Sequence, residues 1–241
     1  MNYTVVSVQD PLLREKYVNA AGLLFGAAQL EVPAVSFGDT DPLRLDLPNR
    51  ENNAEWSAAT LDLPDVYRFQ LTDALVHPPF GIITLGNCVV RETLDHAPFH
   101  LPGYARAGDE VTLPLAGVGT TLDEAIHVMG SNYDNHFHFT AEILPRLQIE
   151  PLSPYAFDGT ILFPPVTTLP LQEIVAQMAR TGRTVCSLAG SRAVHVRSLI
   201  FVPNLAGAGY APHPGLAAFY DHLEHFQACW NHRVFRNGVD M

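Results

Sequence analysis

The chain has 241 residues, of which 47% are hydrophobic and 16% are charged. This composition excludes an intrinsically disordered protein and predicts one sizeable hydrophobic core or two modest cores that share an interface. The formal net charge is −11, from 14 basic and 25 acidic residues. A negative field argues against a nucleic-acid backbone or an anionic membrane as the main partner, because both bind positive surfaces.

The cysteines and the N-terminus bear on cellular location. Cys88, Cys186 and Cys229 are odd in number and widely spaced, which predicts reduced thiols in a cytoplasmic protein. Residues 1–11 lack a basic stretch followed by a long apolar one, so no signal peptide is predicted. No apolar run is long enough to predict a transmembrane helix.

Residues 1–129 are predicted to form a β-rich N-terminal region. Residues 17–30 suit either a short packed helix or a pair of strands, and turn residues predict a loop over 39–54. From Asp65 onwards the sequence predicts a β-meander with a tight turn at Gly86 and Asn87. Its predicted strands are residues 66–75, 81–85, 88–93, 111–115 and 126–129.

Residues 130–241 are predicted to form an α/β lobe, because helical and strand patterns alternate along them. Helices are predicted over 136–147, 171–180 and 216–230, and strands over 159–163, 184–188 and 193–202. Pro145 should kink or end the first helix. The predicted fold class is therefore α/β (α+β), an N-terminal β-meander followed by a Rossmann-like half, and both regions could belong to one compact lobe.

Residues 135–147 are the strongest candidate for a functional site. His136, His138 and Glu142 interrupt an otherwise apolar run. On a helix, His138 and Glu142 lie one turn apart on the same face. Burying such groups costs free energy unless they are paired or used, and both titrate in a range that suits proton transfer. The alternative without function is an exposed pair on the helix surface, which stabilises the helix by roughly 0.2–0.5 kcal/mol.

In this segment Asn135 is followed by His138, Phe139 and Glu142, and then by Leu-Pro-Arg-Leu at 144–147. This order resembles the signature of the family 61 glycosyltransferases, from which His136 departs because the family usually has an aromatic residue there. Residues 81–93 also resemble a passage of that family in which a glycine, a hydrophobic strand and a turn precede Val-Val-x-Glu. The resemblance is specific over 135–147 and diffuse over about 75–225.

The resemblance implies the first lobe of a two-lobed, GT-B type glycosyltransferase of polysaccharide biosynthesis. Such an enzyme would transfer a sugar from a nucleotide-sugar donor to a glycan acceptor, with inversion and without a bound metal or other cofactor. The Gly-Pro-His-Gly-Ala-Gly passage of the donor lobe does not occur in this sequence, so a truncated product or a partner that supplies the donor site is expected. Residues 200–241 are then expected to expose an apolar face where that second lobe or a second subunit docks.

The resemblance also implies roles for individual residues. His138 or Glu142 is the candidate catalytic base, and the other orients it. Arg146 is one turn beyond Glu142 and is a candidate to pair with that carboxylate or to face a phosphate. Asn135 is expected to cap the helix or to hold a hydroxyl, and His136 completes the candidate substrate-binding set.

Two alternatives from other classes stay open. Gly130, His136, His138 and Glu142 also fit the spacing of the first metal motif of cupin barrels, in which alternation along strands would direct both imidazoles towards one ion. A second cupin motif is missing downstream. The other alternative is a non-catalytic remnant that binds glycan without turnover. His222, His225 and His232 are interpreted as the polar face of a helix and not as metal ligands.

Overall fold

We describe a computed structural model of the chain. The structure describes residues 2–32, 35–36, 55–56, 59–94, 99, 102–114, 117–135, 138–149, 159–169, 171–173, 184–190, 192–203 and 215. Several predicted features lie outside these residues, namely the loop over 39–54, the helix over 216–230, His136, Cys229 and most of the expected apolar face over 200–241.

The described residues form mostly strands, with few helices, so the fold is mixed α/β. The helix α1 (Pro11–Tyr17) follows the first strand. The first seven described strands are β1 (Asn2–Val6), β2 (Val18–Phe25), β3 (Ala28–Val32), β4 (Val35–Ser36), β5 (Glu55–Trp56), β6 (Ala59–Leu63) and β7 (Val66–His77). They are followed by β8 (Ile82–Leu85), β9 (Cys88–Val90), β10 (Ala105–Ala107), β11 (Glu110–Thr112), β12 (Val118–His127), β13 (Thr160–Phe163), β14 (Val185–Ser187) and β15 (Ala193–Phe201). The remaining elements are a 3₁₀ turn at Arg91–Thr93, a π-helix at Phe139–Ile143 and a 3₁₀-helix at Leu144–Ile149.

Eleven of the described strands belong to one large mixed sheet, in the order β10-β11-β1-β9-β8-β7-β15-β12-β13-β14, with β2 also paired to β7. The strands β15, β12, β13 and β14 are mutually parallel, and we call them the parallel sector. On the other side of the sheet, β7 to β11 pair antiparallel apart from the parallel pair of β1 with β9. The sheet thus runs without a break across the predicted boundary at residue 130.

The twelve-residue strand β7 is where the two sides of the sheet meet. Along one edge it pairs with β15 over its residues 69–76. Its other edge is shared end to end by β2, paired to residues 66–71, and β8, paired to residues 75–77. Asp73 lies between these two partners with a φ of 51°, a left-handed conformation that Asp tolerates better than most residues. Asp73 therefore separates the two segments that pair along this edge.

Four apolar clusters of described residues pack on the sheet, the smallest of them around Val66 and Val202. The largest contains Phe69, Leu71, Val196 and Phe201 from the central strands, with Leu13 of α1 packed among them. A second cluster joins Phe139 and Ile143 of the π-helix to β12 and β13, with the Phe139 and Phe163 rings stacked at 6.3 Å. The third lies under the β1, β8, β9 and β11 strands. The apolar side of the 138–149 segment is therefore held against the parallel sector.

Most of the predicted strands are confirmed, with shifts at their ends. The region 17–30 contains β2 and most of β3, although these strands pair with β7 and β6 and not with each other. Of the helix predicted over 136–147, the described residues 138–147 are helical and the helical turns continue to Ile149, but the turns are π and then 3₁₀ and not α. Pro145 explains this difference, because it has no N–H for an α-helical bond and its ring would clash with the carbonyl four residues earlier. The helix predicted over 171–180 is helical at 169 and 171–173, beyond which the chain is not described.

We predict that Gly81→Ala destabilises the protein much more than Gly108→Ala. Both glycines have positive φ, 73° and 58°, so both substitutions incur about 1–2 kcal/mol of backbone strain. At Gly108 a Cβ would meet nothing within 4 Å, whereas at Gly81 it would overlap Met129 Cβ and lie 2.7 Å from His127 Nε2. Overpacking adds about 1–3 kcal/mol.

Chemical denaturation of the two variants measures this difference directly. Since the φ values are similar, the excess loss in Gly81→Ala isolates the steric clash. Equal losses of unfolding free energy in the two variants would show that the close approach at Gly81 does not exist.

Candidate functional site

The segment predicted to carry the site follows the carboxyl end of β12. Val128 and Met129 continue from β12 as buried residues, and Val128 N–H donates to the Leu162 carbonyl of β13 at 3.0 Å. Turns over 130–135 then lead into the helical segment. Side chains beyond the carboxyl ends of parallel strands often form ligand sites in α/β sheets. The order of elements therefore places Asn135, His138, Glu142 and Arg146 where a site is expected.

His138 and Glu142 are in direct contact, as their spacing predicts. His138 Nδ1 lies 2.9 Å from Glu142 Oε1, and the two side chains are 15% and 8% exposed. Because an ionised carboxylate can only accept, the imidazole donates through Nδ1–H. Asn135 begins this helical segment, since its carbonyl accepts from Phe139 N–H at 2.9 Å and its Oδ1 lies 3.5 Å from the His138 nitrogen. The segment thus holds a fixed and half-buried imidazole–carboxylate pair.

Arg146 is buried and bound to main-chain carbonyls. Its side chain is 6% exposed. Its Nε donates to the Glu142 carbonyl at 3.1 Å, and its Nη1 donates to the Met129 carbonyl. These bonds tie the helical segment to the end of β12. Arg146 therefore has the structural role that is the usual one for a single arginine, whatever else its guanidinium contacts.

A cavity lies beside this pair and is lined from both sides of the sheet. It is a cleft open to solvent, and the space between its lining residues, open solvent at the mouth included, is about 400 Å³. From the antiparallel side come Phe80, Glu92 and Thr93; from the parallel sector and the segment after it come His127, Met129, Gly130, Ser131, Asn132, Glu142, Ile143 and Arg146. We call it the β8–β12 cavity. Of the predicted site residues, Glu142 and Arg146 line the cavity. His138 does not line it but is bonded to Glu142, which does.

Two cavity residues that sequence reasoning did not single out are His127 and Glu92. His127 is 1% exposed, and its Nε2 lies 2.6 Å from the Gly81 carbonyl, to which it donates. Glu92 accepts from Ser7 Oγ at 2.5 Å and from Val8 N–H at 3.0 Å. The only sequence signals were the position of His127 within a predicted buried strand and that of Glu92 in the Val-Val-x-Glu passage.

His127 and a second buried histidine, His77, are held neutral by their surroundings. Burial, with a smaller contribution from the positive charge of Arg146, lowers the pKa of His127 from 6.5 to about 3, and the bond to Gly81 opposes this shift only in part. Burial alone lowers the pKa of His77 to about 4. His77 Nε2 bonds to Thr84 Oγ1 at 2.9 Å. Within the described part of the chain, Nδ1 of each ring has no hydrogen-bond partner.

The geometry bears on the cupin-type alternative. That alternative needs His138 and Glu142 on strands, whereas both belong to a helical segment. Among the described residues, which do not include His136, no group of three or more His, Cys, Asp or Glu side chains is close enough to hold a metal ion. The backbone at His138 and Glu142 therefore differs from the strands on which cupin ligands lie.

Comparison with known proteins gives no assignment. No family model, no curated protein and no solved structure matches this chain significantly. Among the described helices, none has the length and apolar character needed to cross a membrane. The cavity and the His138–Glu142 pair are therefore the features of the molecule that bear on its function.

We predict that the free energy of unfolding falls as the pH drops from about 6.5 to about 5. His77 and His127 have folded-state pKa values of about 4 and about 3, below the ordinary 6.5 of the unfolded chain. In this window the unfolded state binds more protons, so each histidine lowers stability by up to about 1.4 kcal/mol per pH unit. The stabilising contribution of each neutral ring is fully present at a pH above the pKa of the unfolded chain. It is lost as the pH falls towards the pKa of the folded state.

Denaturant titrations of the wild type, His77→Gln and His127→Gln at several pH values check this. Glutamine keeps a polar group near the position of Nε2 but does not titrate. Each single variant should show a shallower pH slope than the wild type, and the double variant the shallowest. An unchanged slope in all three variants would contradict the assignment of two neutral buried imidazoles.

Proposed function

We propose that this chain is a glycosyltransferase-like protein that acts in polysaccharide biosynthesis and supplies the acceptor and base lobe of a GT-B type enzyme. Nucleotide sugar is the donor and a glycan is the acceptor. The observation that carries the proposal is the 2.9 Å contact between His138 Nδ1 and Glu142 Oε1 beside the β8–β12 cavity. The resemblance of residues 135–147 to the family 61 signature supports the same function.

In this proposal His138 is the catalytic base and Glu142 orients it. Nδ1–H is donated to the carboxylate, so Nε2 is the basic nitrogen of the neutral ring. Nε2 takes the proton of the acceptor hydroxyl as that oxygen attacks the anomeric carbon. The bond from this carbon to the nucleoside diphosphate breaks on the opposite face, which inverts the configuration. The diphosphate leaves with the electron pair of that bond.

Glu142 suits an orienting role because its own position is fixed from both ends. Its carboxylate bonds to His138, and its main-chain carbonyl accepts from the buried Arg146. Groups held in this way need no reorganisation when the proton moves. Asn135, at the start of the segment, holds the turn that presents His138.

The donor site and the cellular location belong to the same proposal. The nucleotide-sugar site is assigned to a second lobe or a second subunit. Cys88 and Cys186 are free thiols in the structure, which fits the cytoplasmic location expected from the sequence. A role in binding glycan without transfer is retained as an outcome of the experiment below.

We predict that His138→Asn lowers kcat for sugar transfer by about 10²–10⁴-fold, because a positioned general base contributes about that factor. Glu142→Gln keeps a hydrogen-bond acceptor but removes the charge, so it should lower kcat by a smaller factor with little change in KM. The assay measures release of nucleoside diphosphate from a panel of nucleotide sugars with glycan acceptors, on the protein at its full natural length.

His195→Asn is the matched control. His195 also contacts a carboxylate, with Nε2 3.2 Å from Asp73 Oδ1, but this pair lies outside the β8–β12 cavity. Its transfer rate should equal that of the wild type. Wild-type rates in His138→Asn would overturn the assignment of the base, and glycan binding without turnover of any donor would assign the chain to the non-catalytic class.

A further inference from the structure

We propose that the β8–β12 cavity binds a hydroxyl-bearing ligand that carries a protonated amine, with Glu92 as the residue that selects for the positive charge. Where the function proposed above holds, this deepens it by identifying the acceptor as an amino sugar. Four features of the cavity wall carry the inference.

The first feature is the balance of charge. Two carboxylates, Glu92 and Glu142, line the cavity against one guanidinium, that of Arg146. His127 adds no positive charge, since it is neutral at physiological pH. His138 is neutral when it acts as a base. The wall therefore has an excess negative charge, which repels phosphate and carboxylate groups and attracts a cation.

The second feature is how Arg146 is used. Its Nε and Nη1 donate to the main-chain carbonyls of Glu142 and Met129. These two directions of the guanidinium fork are therefore committed to the backbone. Bidentate recognition of an anion uses two parallel N–H groups of the same fork. Arg146 thus holds the wall together through two of its five N–H groups.

The third feature is a set of hydrogen-bond acceptors on the wall. Glu92 accepts one bond on each oxygen, from Ser7 and Val8, and an ionised carboxylate has about four acceptor positions in total. Thr93 is already committed, because its hydroxyl donates to the Val90 carbonyl and accepts from Ile83 N–H. His127 Nδ1 is an acceptor without a partner in the described chain. A ligand rich in O–H and N–H donors complements this wall.

The fourth feature is an aromatic cluster at the same wall. Phe80 lines the cavity, with Tyr133 and Tyr104 at centroid distances of 6.2 and 5.9 Å. Burial raises the pKa of both tyrosines, and for Tyr133 the charge of Asp134 adds to this, so both stay neutral at physiological pH. Aromatic faces attract ammonium groups and also cover the apolar face of a sugar ring. Carboxylates beside an aromatic wall therefore favour a cationic sugar over a neutral or anionic one.

The test compares ligands that share one ring and differ in charge. The methyl glycosides of glucosamine, glucose and glucuronic acid are titrated into the full chain, without donor, and binding is followed by NMR chemical-shift changes. The glucosaminide should bind about ten-fold more tightly than the glucoside, as expected for one partly desolvated charge pair, and the glucuronide should bind most weakly. Ethylamine is added as a fourth probe, to distinguish an aliphatic amine from an amino sugar as the source of the charge.

Two variants assign the selectivity to this wall. Glu92→Gln keeps the shape of the side chain and should reduce the ten-fold preference to about two-fold or less, with the affinity for the neutral glucoside nearly unchanged. Glu124→Gln is the charge-matched control, because Glu124 is an exposed residue of β12 that does not line the cavity. This variant should keep the ten-fold preference for the glucosaminide. Phe80→Leu should weaken the glucosaminide more than the glucuronide, which gives a second test if Glu92→Gln fails to fold.

Equal affinities for the three glycosides, or tightest binding of the glucuronide, would overturn this inference. So would a full preference for the amine in both Glu92→Gln and Phe80→Leu. These outcomes do not depend on transfer. Sugar transfer that depends on His138, without a preference for the amine, would refute only the proposed selectivity. Selective binding of the amine without sugar transfer would refute only the proposed enzymatic function.

Discussion

The hydrogen bond from His127 Nε2 to the Gly81 carbonyl joins the two sides of the sheet beside the cavity. It requires the backbone at the start of β8 to approach the end of β12 so closely that a Cβ at position 81 would overlap Met129. Glycine permits both the approach and the φ of 73°. Without this contact, Phe80 and Glu92 on one side would not share a wall with Glu142 and Arg146 on the other. The candidate site therefore depends on a residue that has no side chain.

The His127 ring in this contact carries no charge at neutral pH, because burial lowers its pKa more than the bond to Gly81 raises it. A carbonyl can only accept, so His127 must keep its proton on Nε2, and burial beside Arg146 prevents a second proton from binding at neutral pH. An imidazole that is buried and neutral leaves Nδ1 as an acceptor, and a buried acceptor without a partner costs about 1–3 kcal/mol. An apolar side chain would avoid that cost. A polar ring is present at this position all the same, and its Nε2–H satisfies the buried Gly81 carbonyl.

The parts of the fold that depend on neighbouring residues could be predicted from the sequence, and those that depend on distant residues could not. The strands β7 and β15 follow from local alternation, and the His138–Glu142 contact follows from a spacing of four. Pro145 is visible in the sequence as a residue that disturbs an α-helix. The π and 3₁₀ turns that replace the α-helix depend on packing against distant residues, which the sequence does not show. Glu92 and Phe80 were missed because they enter the site only through the folding of the whole sheet. No pattern within residues 80–93 shows that they meet residues 127–146.

The two carboxylates of the cavity are anchored differently, and this decides what each can do. Glu142 bonds to another side chain, His138, so a cation bound directly to Glu142 would compete with the imidazole for the same oxygen. Glu92 bonds to Ser7 and to the Val8 main chain, and both contacts leave acceptor positions on its oxygens. A positive group that binds at Glu92 therefore does not disturb the orientation of His138. In the proposed mechanism, separating the charge-selecting carboxylate from the base-orienting one would let the ligand be recognised by its charge while its hydroxyl reacts, with neither contact broken for the other to form.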